Sequence, residues 1–267
     1  MTDILFPELS YAVQGACFDV HNRLRGLDLS EAGWEKALTI ALTKRGIGSE
    51  SQVKFQLAYR GGSVGQFAVD VVVDDKLLLE LKAVEKLLPI HQAQVLSYLR
   101  VSGLELGILI NFGEPRVASQ RLVLQSARNE GATDVPQPGQ PVNPEGLLYP
   151  EVTERLRCVL LAVHNTLGPG FMHMHYRRAT FLELGDSGLS FRKQEKVTVS
   201  YQGQPIETRE THLLIIEGKI ALACVAFSSI TPAMVLRMRQ FLKLLGLSLG
   251  LIANFHNLQM EITTVRV

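Results

Sequence analysis

The chain lacks any run of about 18 apolar residues, the length a membrane-crossing helix needs, so a spanning segment is not expected. Its opening stretch, Met1-Thr2-Asp3-Ile4-Leu5-Phe6-Pro7-Glu8, has no basic segment followed by an apolar one. A secretory leader is therefore not expected, and the expected location is the cytoplasm. Cysteine is scarce: Cys17, Cys158 and Cys224 are scattered and show no CxxC spacing. That excludes a disulfide framework and predicts small core residues in a reducing compartment. Charge of one sign is also lacking, with a net of +1, so any contact with nucleic acid must come from a local patch. No Walker A, GxGxxG, GxSxG or HExxH pattern occurs, which removes the common nucleotide loops, the hydrolase elbow and the zinc-protease helix. What is present is a core: 46% of the residues are hydrophobic and 20% charged over 267 residues. That suits one large domain or two of about 130 residues.

The sequence repeats itself. Val20-His21-Asn22 recurs as Val163-His164-Asn165, and Leu106-Gly107-Ile108-Leu109-Ile110-Asn111-Phe112 as Leu249-Gly250-Leu251-Ile252-Ala253-Asn254-Phe255. Tyr98-Leu99-Arg100 aligns with Phe241-Leu242-Lys243 at the same spacing. Between the copies, residues 129–146 carry Pro136, Pro138, Pro141 and Pro144 among glycines, the composition of a linker. The chain therefore divides into residues 1–128, a linker at 129–146, and a second copy at 147–267. Each copy predicts an α/β architecture with a mixed sheet flanked by helices. The expected elements are helices near 8–24, 30–45 and 90–102 with strands near 52–59, 66–73, 77–84 and 106–112. The second copy predicts helices near 150–167, 172–184 and 232–246 and strands near 194–201, 211–217, 219–227 and 248–255.

One feature of the first copy breaks the apolar pattern. Two short aliphatic runs, Gln66–Val73 and Leu77–Val84, flank Asp74-Asp75-Lys76 and predict a hairpin. Pairing symmetric about Asp75 sets Asp70 opposite Glu80, and Glu80 and Lys82, two residues apart, share a face. Facing carboxylates in an apolar sheet repel, and a divalent cation between them removes the penalty. The corresponding positions of the second copy are Leu213, Ala223 and Val225, while the turn is kept as Glu217-Gly218-Lys219. The fold thus does not require the charges, which favours a functional role for them and an inactive second copy. Other polar residues of the first copy fall near them: Glu31 on the second helix, and Gln94 and Tyr98 four apart on one face of a later helix. His91 near a helix start, and His21 and His164 in both copies, are expected to be structural. His173 and His175 are expected at strand spacing, without a metal site.

Asp70 followed by Glu80-Leu81-Lys82 resembles the D…ExK signature of PD-(D/E)XK nucleases, and Gln94-x-x-x-Tyr98 resembles the QxxxY motif of the RecB-type exonucleases. The whole chain resembles the bacterial GxxExxY family within that superfamily. Its motif falls at Asp28-x-x-Glu31-x-x-Trp34, where only the glutamate matches, and at Gly170-x-x-His173-x-x-Tyr176, where only the glycine and tyrosine match. The resemblance implies two tandem restriction-endonuclease-like domains, the second degenerate. It implies that Asp70, Glu80 and the Leu81 carbonyl hold Mg²⁺ or Mn²⁺, with Glu31 joining the cluster. Lys82 would orient or help deprotonate a water, its pKa lowered by desolvation and raised by the carboxylates. Gln94 would position the phosphate or the lysine, and Tyr98 the backbone or a base. The function implied is a metal-dependent nuclease acting on nucleic acid, DNA in particular, with the second copy as a pseudo-subunit of an internal pseudo-dimer in a monomeric chain. The alternatives are a nucleic-acid-binding or scaffolding protein with a decayed nuclease fold, and a purely structural interaction module.

Overall fold

The computed structural model describes residues 4–124 and 148–267. The linker expected at 129–146 lies outside the described residues. The first repeat runs α1 (Pro7–Leu24), α2 (Glu31–Thr43), β1 (Ser49–Tyr59), β2 (Gly62–Val73), β3 (Leu77–Lys82), α3 (Pro89–Ser102), β4 (Leu106–Asn111) and β5 (Ala118–Val123). The second repeats that order as α4 (Pro150–Leu167), α5 (His173–Asp186), β6 (Phe191–Tyr201), β7 (Gln204–Ile216), β8 (Ile220–Val225), α6 (Pro232–Leu245), β9 (Leu249–Asn254) and β10 (Glu261–Arg266). The chain forms two compact units, one holding the first repeat apart from Ala58–Val64, the other holding that short segment with the second repeat.

Each repeat carries a five-stranded sheet, ordered β1-β2-β3-β4-β5 and β10-β9-β8-β7-β6. Both are mixed: β3 and β4 run parallel, and β4 pairs antiparallel with β5, as β8, β9 and β10 do in turn. The parallel pair needs a crossover, supplied by α3 in the first repeat and α6 in the second. Both helices start with proline in the first turn, where its missing N–H costs nothing, and both end on a left-handed glycine, Gly103 at φ 75° and Gly246 at φ 65°. They lie close on the sheet because β4 and β9 each present a glycine beneath them. A Cβ on Gly107 would stand 2.6 Å from Val95 Cγ1, and one on Gly250 2.8 Å from the Met238 side chain.

The central strands explain the apolar runs. All six residues of β4 are buried, as are the first five of β3. Leu77, Leu79 and Leu81 join Val71, Val73, Ile108 and Ile110 in a core closed by Val13, Cys17 and Val20 of α1 and Trp34, Leu38 and Leu42 of α2. Strand alternation then sends Glu80 and Lys82 to the opposite face of β3.

Several expectations change. The reading stopped at the strands near 112 and 255, yet β5 and β10 follow as edge strands. The helix expected near 172–184 is α5, and His173 and His175 open it, so their spacing is not that of a strand; Gly168-Pro169-Gly170 follows the end of the preceding helix. The two imidazoles still form no shared site: His175 is buried with its ring edge-on to Phe171, while His173 stacks on Phe227. Cys17 and Cys224 are core residues as expected, but Cys158 is exposed on α4. All three are free thiols, and burial pushes Cys17 and Cys224 up to about 12.

Candidate functional site

The hairpin register agrees with the sequence as far as it goes. Val73 pairs with Leu77, Val72 with Leu78 and Val71 with Leu79, all symmetric about Asp75. The three-residue turn is made by Asp74 and Asp75 at φ 48° and 54°, with Lys76 N donating to Val73 O at 3.0 Å. The next pair would set Asp70 against Glu80, but the backbone ladder ends first. Asp70 Oδ2 instead accepts from Leu81 N at 2.8 Å, so the carboxylate takes the place of a backbone acceptor and the strands part. Asp70 therefore touches the main chain of the ExK segment rather than facing Glu80 squarely.

Glu80 lies in the middle strand of the sheet and is 3% exposed. Its Oε1 accepts from Lys82 Nζ at 2.6 Å, and its Oε2 is buried without a hydrogen-bond partner among the described residues. A buried carboxylate oxygen left unsatisfied is costly, and here the cost appears as a pKa raised to about 7. Burial is the main cause; the Lys82 charge opposes it, while Asp70 and Glu31 add to it. Asp70 is raised too, first by burial, against the Leu81 hydrogen bond and Lys82. For Lys82 burial pulls the pKa down, but Glu80, Glu31 and Asp70 outweigh it and the ammonium ends above its ordinary value. The opposing pulls expected from sequence thus resolve in favour of attraction.

Ser30 caps α2, accepting from Gly33 N at 3.3 Å, which sets Glu31 in the first turn. The Glu31 carboxylate reaches the end of β3, accepting from Ala83 N at 3.3 Å. It contributes to the fields at Asp70, Glu80 and Lys82, so the four charged residues act on one another. Gln94 and Tyr98 do share a face of α3: Gln94 Nε2 donates to Tyr98 Oη at 3.0 Å, and Tyr98 packs on Phe67 of β2 at 4.7 Å between ring centroids. Two residues escaped the sequence reading. Gln52 Nε2 donates to Glu35 Oε2 at 2.6 Å and approaches Asp70 Oδ1 at 3.5 Å, bringing a further carboxylate to the edge of the cluster. The signal was available in the four-residue spacing of Glu31 and Glu35 on one helix face.

The donor set suits a hard divalent cation. The buried orphan oxygen of Glu80 and the Asp70 carboxylate are oxygen donors, and the Leu81 carbonyl follows Glu80 directly in sequence. Among the described residues no group of three or more His, Cys, Asp or Glu side chains is gathered as a metal cluster.

The profile of the PD-(D/E)XK nuclease superfamily matches twice, over residues 7–122 and again over 150–267. The chain belongs to the PD-(D/E)XK nuclease superfamily. A search of curated proteins gives no match. Among solved structures, SSO0001 is similar at 19% identity and a TM-score of 0.28, over 42% of this chain and 65% of that one, a likeness too slight to bear on fold or function. The chain spans under two thirds of that relative's length.

Two PD-(D/E)XK repeats in one chain permit an internal comparison. The scaffold is kept closely. His21 Nε2 meets Glu114 O at 3.0 Å and His164 Nε2 meets Asn257 O at 2.9 Å, so both histidines tie a helix to the loop after the buried strand. Asn111 bonds the N–H and C=O of Val84, and Asn254 does the same to Phe227. Trp34 stacks on Phe112 at 4.7 Å with planes 5° apart, and Tyr176 on Phe255 at 4.6 Å and 11°. The last position of the GxxExxY-like motif is thus a packing position in both repeats. His91 is structural as expected, its Nδ1 accepting from Leu88 N at 3.2 Å at the start of α3.

Proposed function

We propose that the first repeat is a metal-dependent nuclease domain that hydrolyses phosphodiester bonds in DNA. The observation that carries this reading is Glu80: a buried carboxylate with one unsatisfied oxygen, paired to Lys82, beside Asp70, in the central strand of a PD-(D/E)XK sheet. Its partner repeat folds with Leu213, Ala223 and Val225 in those places, so the charges serve something other than folding. Within the superfamily we place the chain with the GxxExxY branch, on Glu31 of the first repeat and on Gly170 and Tyr176 of the second.

Asp70, Glu80 and the Leu81 carbonyl would hold Mg²⁺ or Mn²⁺. When bound, the ion supplies Lewis acidity at a phosphate oxygen and lowers the pKa of a coordinated water. The protein's own groups do the rest. Glu80, with a pKa of about 7, is part-protonated at neutral pH and would have to give up that proton to hold a cation. Lys82, raised above its ordinary value, stays an ammonium while paired. It is placed to orient a water and to offset the phosphate's negative charge. Glu31 fixes the end of β3 through Ala83 N and keeps the surrounding field negative. Gln94 and Tyr98 form a hydrogen-bonded pair suited to positioning the substrate backbone.

A second reading, a nucleic-acid-binding protein that does not cut, is favoured by the absence of a three-side-chain metal cluster among the described residues. Incubating the purified chain with single- and double-stranded DNA and RNA, in Mn²⁺, Mg²⁺ or EDTA, separates the two. Cleavage of DNA that EDTA abolishes supports the nuclease; binding without cleavage under every metal condition supports the alternative.

A further inference from the structure

The second repeat has not merely lost a metal site. The positions equivalent to Asp70, Glu80 and Lys82 are Leu213, Ala223 and Val225, and all three line one cavity of about 600 Å³. That size is typical of small-molecule sites. Four more of its lining residues occupy positions of the first repeat's site, and two of them exchange a carboxylate for a basic side chain. Pairing α2 with α5 through the stacked Trp34 and Tyr176 sets Glu31 against His173 and Glu35 against Arg177. Pairing α3 with α6 through the parallel-strand registers sets Gln94 against Arg237 and Tyr98 against Phe241. His173, Arg177, Arg237 and Phe241 all line the cavity. Carboxylates at a site built to hold a cation have become imidazole and guanidinium, and an amide has become a guanidinium.

The floor is apolar, from Leu213, Ala223, Val225, Met238 and Ile252. The rim is cationic. Arg237 lies 5.5 Å over the Phe241 ring, His173 stacks on the half-exposed Phe227 at 6.4 Å, and His212 joins them. Glu210, exposed, is the one carboxylate among the lining residues. Arg177 Nη1 is buried with no hydrogen-bond partner among the described residues, and burial holds the guanidinium below its ordinary pKa. His173 is lowered as well, first by burial and then by the charges of Arg177 and His212. The unpaired nitrogen belongs to a partly buried guanidinium, and an anion would give it the partner it lacks, as a cation would for the orphan oxygen of Glu80.

We propose that this cavity binds a small organic anion: one acidic group taken by Arg177 with Arg237, and an apolar body laid on the Leu213–Ala223–Val225 floor. The degenerate repeat is then a ligand-binding domain whose preference is the electrostatic opposite of the repeat it was copied from. The assignment does not depend on cleavage by the first repeat.

The test uses the full chain and two fluorescent probes, the anion 8-anilinonaphthalene-1-sulfonate and its neutral relative N-phenyl-1-naphthylamine. Saturable one-to-one binding of the anion, tighter than that of the neutral probe, is expected. Arg177→Met should weaken the anion by roughly tenfold to a hundredfold, the loss of a charge-assisted hydrogen bond, and leave the neutral probe unchanged. Ala223→Phe, which fills the floor, should weaken both; circular dichroism checks that it folds, and Arg177→Met stands as the independent variant. Decanoate should displace the probe. No saturable binding by the wild type, an unchanged affinity in folded Arg177→Met, or displacement by a DNA oligonucleotide but not by decanoate would each overturn the proposal.

Discussion

Protons and divalent cations should compete for Glu80, and that competition has a predictable size. The carboxyl is raised from 4.5 to about 7 because it is buried, against the pull of Lys82. Between those values the folded chain keeps a proton that the unfolded chain has lost, so rising pH destabilises the metal-free fold across that window. At about pH 5.5 only some 3% of the Glu80 side chains are ionised, and at about pH 8 roughly nine tenths, from the one-proton titration of a group near 7. Apparent metal affinity should therefore be about thirtyfold weaker at the lower pH, or about 2 kcal/mol. At fixed Mn²⁺ well above its dissociation constant, that difference passes directly into stability. For a domain of this size 1 kcal/mol moves Tm by about 4 °C, so the Mn²⁺-induced shift should be larger by about 8 °C at pH 8. Differential scanning fluorimetry with and without Mn²⁺ at both pH values measures it. Equal shifts at the two pH values, or none at either, would refute the claim that Glu80 is the ion's ligand.

Three other outcomes follow from the same coordinates. Lys82→Met removes the charge that opposes burial at Glu80, so carboxyl-carbon NMR should show Glu80 titrating at a higher pH than in the wild type. Asn254→Ala removes a buried side chain that bonds the N–H and C=O of Phe227, a residue that is itself half-exposed. It should cost about 1–3 kcal/mol in denaturant unfolding, the net loss of two ordinary hydrogen bonds. Trp34→Ala removes the ring stacked on Phe112 and opens the first repeat's core, and should cost about 3–5 kcal/mol by the same measurement.

Much of this was legible in the sequence wherever burial dictates residue type. Buried β4 and β9 had to be apolar up to their closing Asn111 and Asn254, and their match exposed the duplication. The hairpin register followed from the turn, and three pairs symmetric about Asp75 bear it out. The edge strands were not legible: β5 reads Ala-Ser-Gln-Arg-Leu-Val and is half-buried, so no apolar run marks it. Helix α5 falls where the sequence sets a helix, near 172–184, although the spacing of His173 and His175 suits a strand better. The charge inversion was hidden by a shift of alignment. β7 is 13 residues against 12 for β2, so α2 and β1 align with α5 and β6 one residue differently from the strands that follow. One spacing applied to the whole chain therefore does not pair Glu35 with Arg177. The end of the β2–β3 ladder, where Asp70 caps Leu81 N, is a side-chain event that no pattern of residue types announces.

The central claim is that the first repeat cuts DNA through Glu80 and that the second lends no chemistry. Single-turnover hydrolysis of a labelled DNA duplex in Mn²⁺, by the wild type and by Glu80→Ala, tests it most directly, with circular dichroism confirming that the variant folds as the second repeat does with Ala223 in that place. The account predicts cleavage by the wild type, abolished by EDTA, and a rate reduced by at least about 10²–10⁴-fold in the variant. Undiminished cleavage by folded Glu80→Ala would contradict it.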